Sequence, residues 1–500
     1  MNMHNLTLFD FFHKNIVLHK KATAIYWKGE DICFQTLYTQ TCALIAGLSK
    51  LDLPKNARVA VLAQNHPVFF HLFGAASALN LCLVLINRRL GPEEISYIIE
   101  DTTPSVLICD EGMEDQAKEL GTVHESLSHC FTIDKTMEDL FVSRTEPDSG
   151  LADNADPDAP FIIIHTAAVQ GKPRGAVLSQ KNVILANLQL IHAFSLDHSK
   201  AYLNILPLFH IMGVNVGLAM FMAGGKNVIL EKFNPQQSLD LIQEQKVSIF
   251  GSFPPILTTL LDLIAEKESN DLSSLEIVAG LEMPDTVKQW EAATSSKFWT
   301  MYGQSETSGL ISFSKYFEQP GSAGRISPLA RISIADDHDT LLPSNCVGEI
   351  RVKGPLVFQG YWNADTLNAQ TFRQGWHHTG DLGLIDDKGY LFFKGRKAEK
   401  ELIKPGGENV FPAEVEKAVL AHDAVDAVCV FGVPDPKFGE GIKAVCTLGP
   451  GKSLAKEDLI AFTGTLIAGY KKPRYIKFID EMPLAEDGSI DRSRVKGLYG

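Results

Sequence analysis

Between about residues 30 and 250, short β-branched runs alternate with longer stretches whose apolar positions recur at helical spacing. RVAVLAQN (58–65), LVLIN (83–87), SVLICD (105–110) and FIIIHT (161–166) predict strands, and PVFFHLFGAASAL (67–79) predicts a helix. Apolar strands alternating with helices are the signature of parallel sheets covered on both faces. The pattern then changes. VKGPLVFQGYWN (352–363) and GYLFFKGR (389–396) predict short strands between glycine turns. Beyond GRKAEK a small α+β unit is expected. Its helix is opened by Pro412 and carries Val415, Ala418 and Val419 on one face, and a strand follows at 424–433.

Five hundred residues exceed what one core supports, so at least two domains are expected. The charged stretch Arg396–Lys404 is the candidate hinge between them, although a solvated loop has the same composition. The most apolar stretch (70–86) carries His71, Ser77 and Asn80 and reads as a buried helix and strand, not a membrane span. A net charge of −14 argues against nucleic acid or an anionic membrane as partner, because the overall field repels polyanions. The eight cysteines form no CxxC pair, and the first residues lack a basic end followed by an apolar stretch. A reduced, cytoplasmic protein is the expectation, with homo-oligomerisation left open.

Candidate chemistry begins at HTAAVQGKPRGAVLS (165–179), read as a glycine-containing turn between the strand FIIIHT and the helix KNVILANLQL. Backbone N–H groups in such a turn hold phosphate oxygens, with Lys172 and Arg174 adding charge. Three later segments fix the reading: MYGQSETSG (301–309), HHTGD (377–381) and GRKAEKELIKPGGENVFPAEVE (395–416). In this order they resemble the adenylate-forming superfamily of acyl-CoA synthetases, firefly luciferase and peptide-synthetase adenylation domains. The resemblance runs from about residue 8 to 498.

That resemblance implies roles. Thr166, Gly171, Pro173 and Gly175 agree with the superfamily's phosphate loop and Arg174 replaces its lysine, whereas Ala167, Ala168, Val169 and Gln170 depart and remove hydroxyls. Tyr302 would offer a face to adenine, Gly303 would leave room for nucleotide and acyl group, and Gln304 and Ser305 would adjoin the phosphates. Glu306 would hold Mg²⁺, a hard cation suited to a carboxylate plus substrate phosphates. Gly280, Leu281 and Glu282 of VAGLEMP would wall the other side of adenine. Asp381 would accept from both ribose hydroxyls, with Arg396 reaching the same sugar. A packed core tyrosine and an ordinary Gly-Asp turn are the plain alternatives for Tyr302 and Asp381.

In the last segment, two residues longer than the common form, Lys400 and Glu401 fall at the pivot. Lys404, Gly406 and Gly407 would form the lid loop of a pantetheine tunnel, where residues without side chains suit a thin ligand. LPLFHIMG (206–213) resembles the acyl-pocket entry. His210 would orient the substrate carboxylate, a satisfied core histidine being the alternative. Phe209, Met212, Gly213, Phe250 and Phe253 would line an apolar pocket. Amino-acid-activating relatives carry Asp where His210 stands, so an amino-acid substrate is disfavoured. In LAEDGSIDR (484–492), Ser489 occupies the position of the closing lysine that bridges carboxylate and α-phosphate. Lys172, Arg174 and Lys496 are candidate substitutes.

The implied fold is a large N-terminal domain of stacked α/β subdomains plus a β subdomain (1–399), with a small mobile C-terminal α+β lid (400–500). The implied activity is that of an AMP-forming acyl-CoA synthetase acting on a fatty or aryl acid with ATP, Mg²⁺ and CoA. The alternatives are an acyl-AMP ligase serving a carrier protein and an adenylation-impaired acyl or nucleotide binder.

Overall fold

The computed structural model describes residues 6–135, 137–141, 155–166, 173–266, 271–397, 402–485 and 489–500. Two large sheets carry the N-terminal part. The first runs Gly360–Tyr361, Arg174–Ser179, Pro160–Thr166, Cys82–Leu85, Arg58–Leu62, Val106–Cys109 and His129–Thr132. It is parallel from Pro160–Thr166 onward and antiparallel at its other edge. The second has a parallel centre of Lys297–Gln304, Ile277–Gly280, Ile249–Ser252, Ala201–Asn204, Lys226–Ile229 and Thr23–Trp27, flanked by antiparallel strands. The four predicted strands and the helix, here Val68–Leu79, all form. Their residues are buried on both faces, as an unbroken apolar run requires. No helix among the described residues is long and apolar enough to cross a membrane.

One element differs from expectation. The segment 165–179 does not lead from strand to helix. Ala176, Val177 and Leu178 form a second strand that returns antiparallel to Pro160–Thr166. The helix Gln180–Ala193 starts only after Ser179, whose hydroxyl caps Asn182 N–H at 3.1 Å. The segment therefore begins and ends in paired antiparallel strands rather than opening a helix, and residues 167–172 lie outside the described residues.

The β subdomain is an antiparallel sheet of Arg331–Ala335, Gly348–Lys353, Trp376–Ile385 and Phe372–Arg373, with Leu391–Arg396 also paired to Trp376–Ile385. HHTGD lies inside that ten-residue strand, not at a turn, and Gly380 supplies a φ of +71° there. The C-terminal unit has its own sheet, Val425–Asp435, Gly439–Leu448 and Tyr475–Phe478, packed with helices Pro412–Leu420 and Lys456–Leu466. The buried clusters divide accordingly: those of the large part end at Leu391 and those of the small part begin at Ile403. The small unit thus has a core of its own, as a separate domain requires.

Candidate active site

A cavity of about 770 Å³ opens where the C-terminal ends of the parallel strands from both large sheets meet the small unit. Such strand ends are the usual location of sites in open α/β sheets. Asn65, just past Arg58–Leu62, orders one wall. It is 4% exposed, donates to the carbonyls of Leu206 (3.0 Å) and Leu230 (3.2 Å), and accepts from Leu208 N–H at 2.8 Å. This clamp fixes the 205–210 loop that carries Phe209 and His210.

At the hairpin end, Thr166, Arg174, Glu306 and Tyr361 converge. Tyr361 Oη donates to Glu306 Oε1 at 2.8 Å, and Thr166 Oγ1 lies 3.4 Å from the same oxygen. The Arg174 guanidinium sits 5.6 Å from the centre of the Tyr361 ring. Burial and the Glu306 charge together push the Tyr361 phenol well above its usual range, so it remains a donor. All four line the cavity with Gly303, Gln304 and Ser305. One carboxylate beside a hydroxyl fits Mg²⁺ held mainly by phosphate oxygens and water. Among the described residues no group of three or more His, Cys, Asp or Glu forms a closed metal cage.

Deeper in the β subdomain, Tyr302 Oη and Gln304 Nε2 each donate to Asp381 Oδ2 at 2.7 Å, and Arg396 Nε pairs with Oδ1 at 2.9 Å. Asp381 is only 1% exposed; its Oδ2 takes both hydrogen bonds, whereas Oδ1 meets Arg396 as an ion pair without a hydrogen bond, and Arg396 lines the cavity. Tyr302 is likewise buried. Its ring, expected to be open to adenine, packs 6.1 Å from that of Phe393.

The small unit closes the cavity from above. Gly406 and Gly407 take left-handed φ values of +62° and +84°. A Cβ on Gly406 would stand 2.9 Å from the Pro254 carbonyl, and one on Gly407 would stand 3.0 Å from the Phe253 ring. Next to them Glu408 forms an ion pair with Arg89 and lies 3.4 Å from His210 Nε2. Burial pushes the Glu408 carboxyl up, but His210 and Arg89 outweigh it and hold it at about 2. The carboxylate beside His210 is thus the protein's own. Lys404 points in beside Phe393, and burial with the Arg396 charge lowers its ammonium to about 8. Lys471 is 3% exposed and bridges Glu94 of the large part and, at 2.7 Å, Glu414 of its own unit.

Several expected site residues lie elsewhere. Phe250 is fully buried in a different core against Trp290, and Gly213 abuts the Pro207 carbonyl, so neither lines the cavity. Gly303 does line it, yet a Cβ there would stand 2.0 Å from the Gly309 carbonyl. Strand–strand approach therefore demands that glycine independently of any ligand. Gly280 is similarly constrained by the Ser252 carbonyl (1.7 Å), and Gly175 by the Ile163 side chain (2.7 Å). Leu281, Phe209, Met212 and Phe253 line the cavity, whereas Glu282 and Ser489 do not. Glu282 sits just behind Leu281, where burial raises its carboxyl to about 7. Ser489 closes an exposed 484–490 bridge on the small unit. Gly171, Lys172, Lys400 and Glu401 lie outside the described residues. Sequence reading missed Asn65, Arg89, Tyr361 and Lys471, and it quoted Glu408 without assigning it a role.

The sequence profile of the AMP-binding enzyme family matches residues 12–362, and that of the AMP-binding enzyme C-terminal domain matches residues 414–488. The chain belongs to the AMP-binding enzyme family. It is 28% identical over 494 residues to a feruloyl-CoA synthase from an Amycolatopsis species, covering 96% of each chain. Among solved structures, a double mutant of o-succinylbenzoate CoA synthetase from Bacillus subtilis bound to a product analogue overlays with a TM-score of 0.85 at 25% identity, covering 97% of this chain and 98% of the other. The same Bacillus subtilis enzyme in complex with its acyl-adenylate intermediate overlays with a TM-score of only 0.71, again at 25% identity, covering 97% of each chain.

Proposed function

We propose that the chain activates a carboxylic acid with Mg·ATP and transfers the acyl group to coenzyme A, with 1–399 binding nucleotide and acid and 400–500 swivelling as a lid about Lys400 and Glu401. The acid's carboxylate attacks the α-phosphorus and displaces pyrophosphate; the CoA thiolate then attacks the acyl carbon and displaces AMP. One site serves two steps of different geometry through lid rotation.

The observation that carries this reading is the seating of Gly406 and Gly407 on Phe253 and Pro254, with Glu408 locked to Arg89 and His210. A side-chain-free loop at the cavity mouth suits a passage for a thin thiol arm. The better overlay on the product-analogue complex than on the acyl-adenylate complex supports assigning this lid orientation to thiol transfer. Thr166 and Glu306 would hold Mg²⁺, and Arg174 with Lys172 would meet the phosphates beside Gln304 and Ser305. Leu281 and Gly303 would flank the base. Asp381, oriented by Tyr302 and Gln304, would take the ribose hydroxyls once Arg396 shifts from Oδ1. Of the cations considered for the charge that Ser489 lacks, Arg174 is the described one that lines the cavity, which favours it over Lys496. Phe209, Met212 and Phe253 favour a fatty or aryl tail over a polar one.

A panel of carboxylic acids scored by pyrophosphate release, with mass spectrometry of the CoA products, tests the reading. Acyl-CoA formed by the purified chain alone is expected. AMP release without a CoA adduct, or no pyrophosphate release with any acid, refutes it.

A further inference from the structure

Behind the cavity wall formed by Ile211 and Met212, the contacts between helices Gln180–Ala193 and Ile211–Met222 and the 305–310 turn hold polar atoms without a hydrogen-bond partner among the described residues. Asn215 and Ser308 are fully buried and Gln189 is 5% exposed. Asn215 Nδ2 donates to the Ser308 carbonyl at 2.6 Å, and Gln189 Nε2 donates to the Leu310 carbonyl at 2.6 Å. Each amide has thereby committed its donor end to a backbone carbonyl, leaving its oxygen as an acceptor. Asn215 Oδ1, Gln189 Oε1 and Ser308 Oγ have no hydrogen-bond partner among the described residues. Tyr202 Oη, fully buried in the apolar cluster against which Met212 packs, has none either.

These atoms lie one layer from the proposed acyl site. A Cβ on Gly309 would stand 2.3 Å from Asn215 Nδ2 and 3.8 Å from Ile211 Cγ1, and Ile211 lines the cavity. Leaving one buried polar atom unpaired costs about 1–3 kcal/mol, so several together at a single junction call for a reason. The wall in front of them includes Met212, an unbranched side chain that repacks readily. The unpaired set is two amide acceptors and two hydroxyls, and the group that donates to a carbonyl acceptor while pairing with a neighbouring hydroxyl is another hydroxyl.

We infer that the acid activated here carries a hydroxyl group distant from its carboxylate, received by Asn215, Ser308 and Gln189 after Met212 moves aside. This inference rests on the reading that the cavity binds the acyl group. A site built around a substrate hydroxyl discriminates strongly against the analogue lacking it, because its own polar atoms then stay unpaired.

The test pairs each acid with its deoxy analogue: 4-hydroxycinnamate with cinnamate, and 16-hydroxyhexadecanoate with hexadecanoate. Pyrophosphate release gives kcat/KM, and titration calorimetry gives binding independently of turnover. The expected result is a preference of at least about 100-fold for the hydroxylated member of one pair. That preference should collapse to within about threefold in Asn215→Leu. Ser308→Ala, a smaller change at an adjacent acceptor, should reduce it about tenfold and serves should the first variant fail to fold. Equal or better use of the deoxy acids in both pairs overturns the inference while leaving acid activation standing. Selective binding of a hydroxylated acid without turnover supports it and removes the reaction instead. Absence of selective binding in both pairs overturns it.

Discussion

Glu94→Gln isolates the contact that holds the lid in its observed position. Lys471 and Glu414 belong to the same C-terminal unit, which the proposed lid rotation would carry together, whereas Glu94 belongs to the large part. Burial would lower the Lys471 ammonium, but Glu414 and Glu94 outweigh it and keep it raised, so the lysine stays charged at neutral pH. Glutamine keeps the geometry of the site. The single amide oxygen of glutamine can keep accepting from Gly91 N–H, as Glu94 Oε2 does at 2.8 Å in capping the helix Pro92–Thr102, which turns the amide NH2 toward the Lys471 ammonium in place of Oε1. The change therefore removes a charge without removing the cap. An amide NH2 cannot accept from the ammonium, so Lys471 loses its bond to the large part and keeps only Glu414, which weakens the contact by about 1–2 kcal/mol. At 1.4 kcal/mol per decade that shifts the orientation equilibrium by about 5- to 30-fold.

Two assays separate the outcomes. ATP–pyrophosphate exchange reports adenylation, which the proposed mechanism assigns to the other lid orientation, and should change by less than about twofold. Single-turnover conversion of preformed acyl-AMP to acyl-CoA should slow by the full 5- to 30-fold, with the melting temperature held because Lys471–Glu414 survives. Equal losses in both assays would mean that Glu94 supports the fold rather than the orientation, and the reasoning would fail.

Three further outcomes follow from single contacts. Ser489→Lys should raise pyrophosphate exchange at least about tenfold, since a positioned cation at developing charge is worth up to roughly 3–4 kcal/mol; an unchanged rate would show that Arg174 already supplies the charge. Tyr361→Phe strips Glu306 of its 2.8 Å donor, and losing a hydrogen bond to a charged group of about 1.5–3 kcal/mol should lower adenylation roughly 10- to 100-fold; a Mg²⁺ titration should show a higher requirement. Glu282, its carboxyl raised to about 7 by burial, keeps in the folded state a proton that the unfolded chain releases near 4.5. Stability should therefore fall as pH rises from 4.5 to 7, and melting scans of Glu282→Gln should lose that slope.

The parallel sheets were legible because their strands are unbroken apolar runs, and a run such as FIIIHT has few other destinations. The hairpin at 165–179 was misread for a related reason: AVL is too short to declare its period, and the glycines before it suggested a helix-capping turn. At Gly303 the carbonyl of a partner strand, invisible to sequence, already forbids a side chain, whatever a nucleotide requires there. Phe250 and Gly213 failed because neighbours in sequence to a pocket residue alternate between faces. Phe253 faces the cavity, and Phe250, three positions earlier, faces the opposite core. Arg89, Glu408 and Lys471 were not legible at all. Their partners lie hundreds of positions away in chain order, and their pairing depends on where the lid sits.

That dependence also limits what Ser489 can affect. Its neighbour Arg492 is tied into the body of the small unit through Glu416 at 2.5 Å and the Val430 carbonyl at 2.7 Å, so this residue of the motif is anchored although the lysine is absent. Ser489 stands outside the cavity in the orientation where Glu408 and Lys471 are engaged. The missing cation should then burden adenylation alone, and the Glu94 bridge should govern thiol transfer alone. Combining Ser489→Lys with Glu94→Gln accelerates the first step and slows the second. The double variant should therefore release pyrophosphate in a burst of about one equivalent per site before a slow steady phase, with acyl-AMP bound to the protein. Residues more than about 7–10 Å apart without shared partners combine additively, so each half-reaction should keep its single-variant rate. A double variant without the burst would show that the two orientations are not separately controlled.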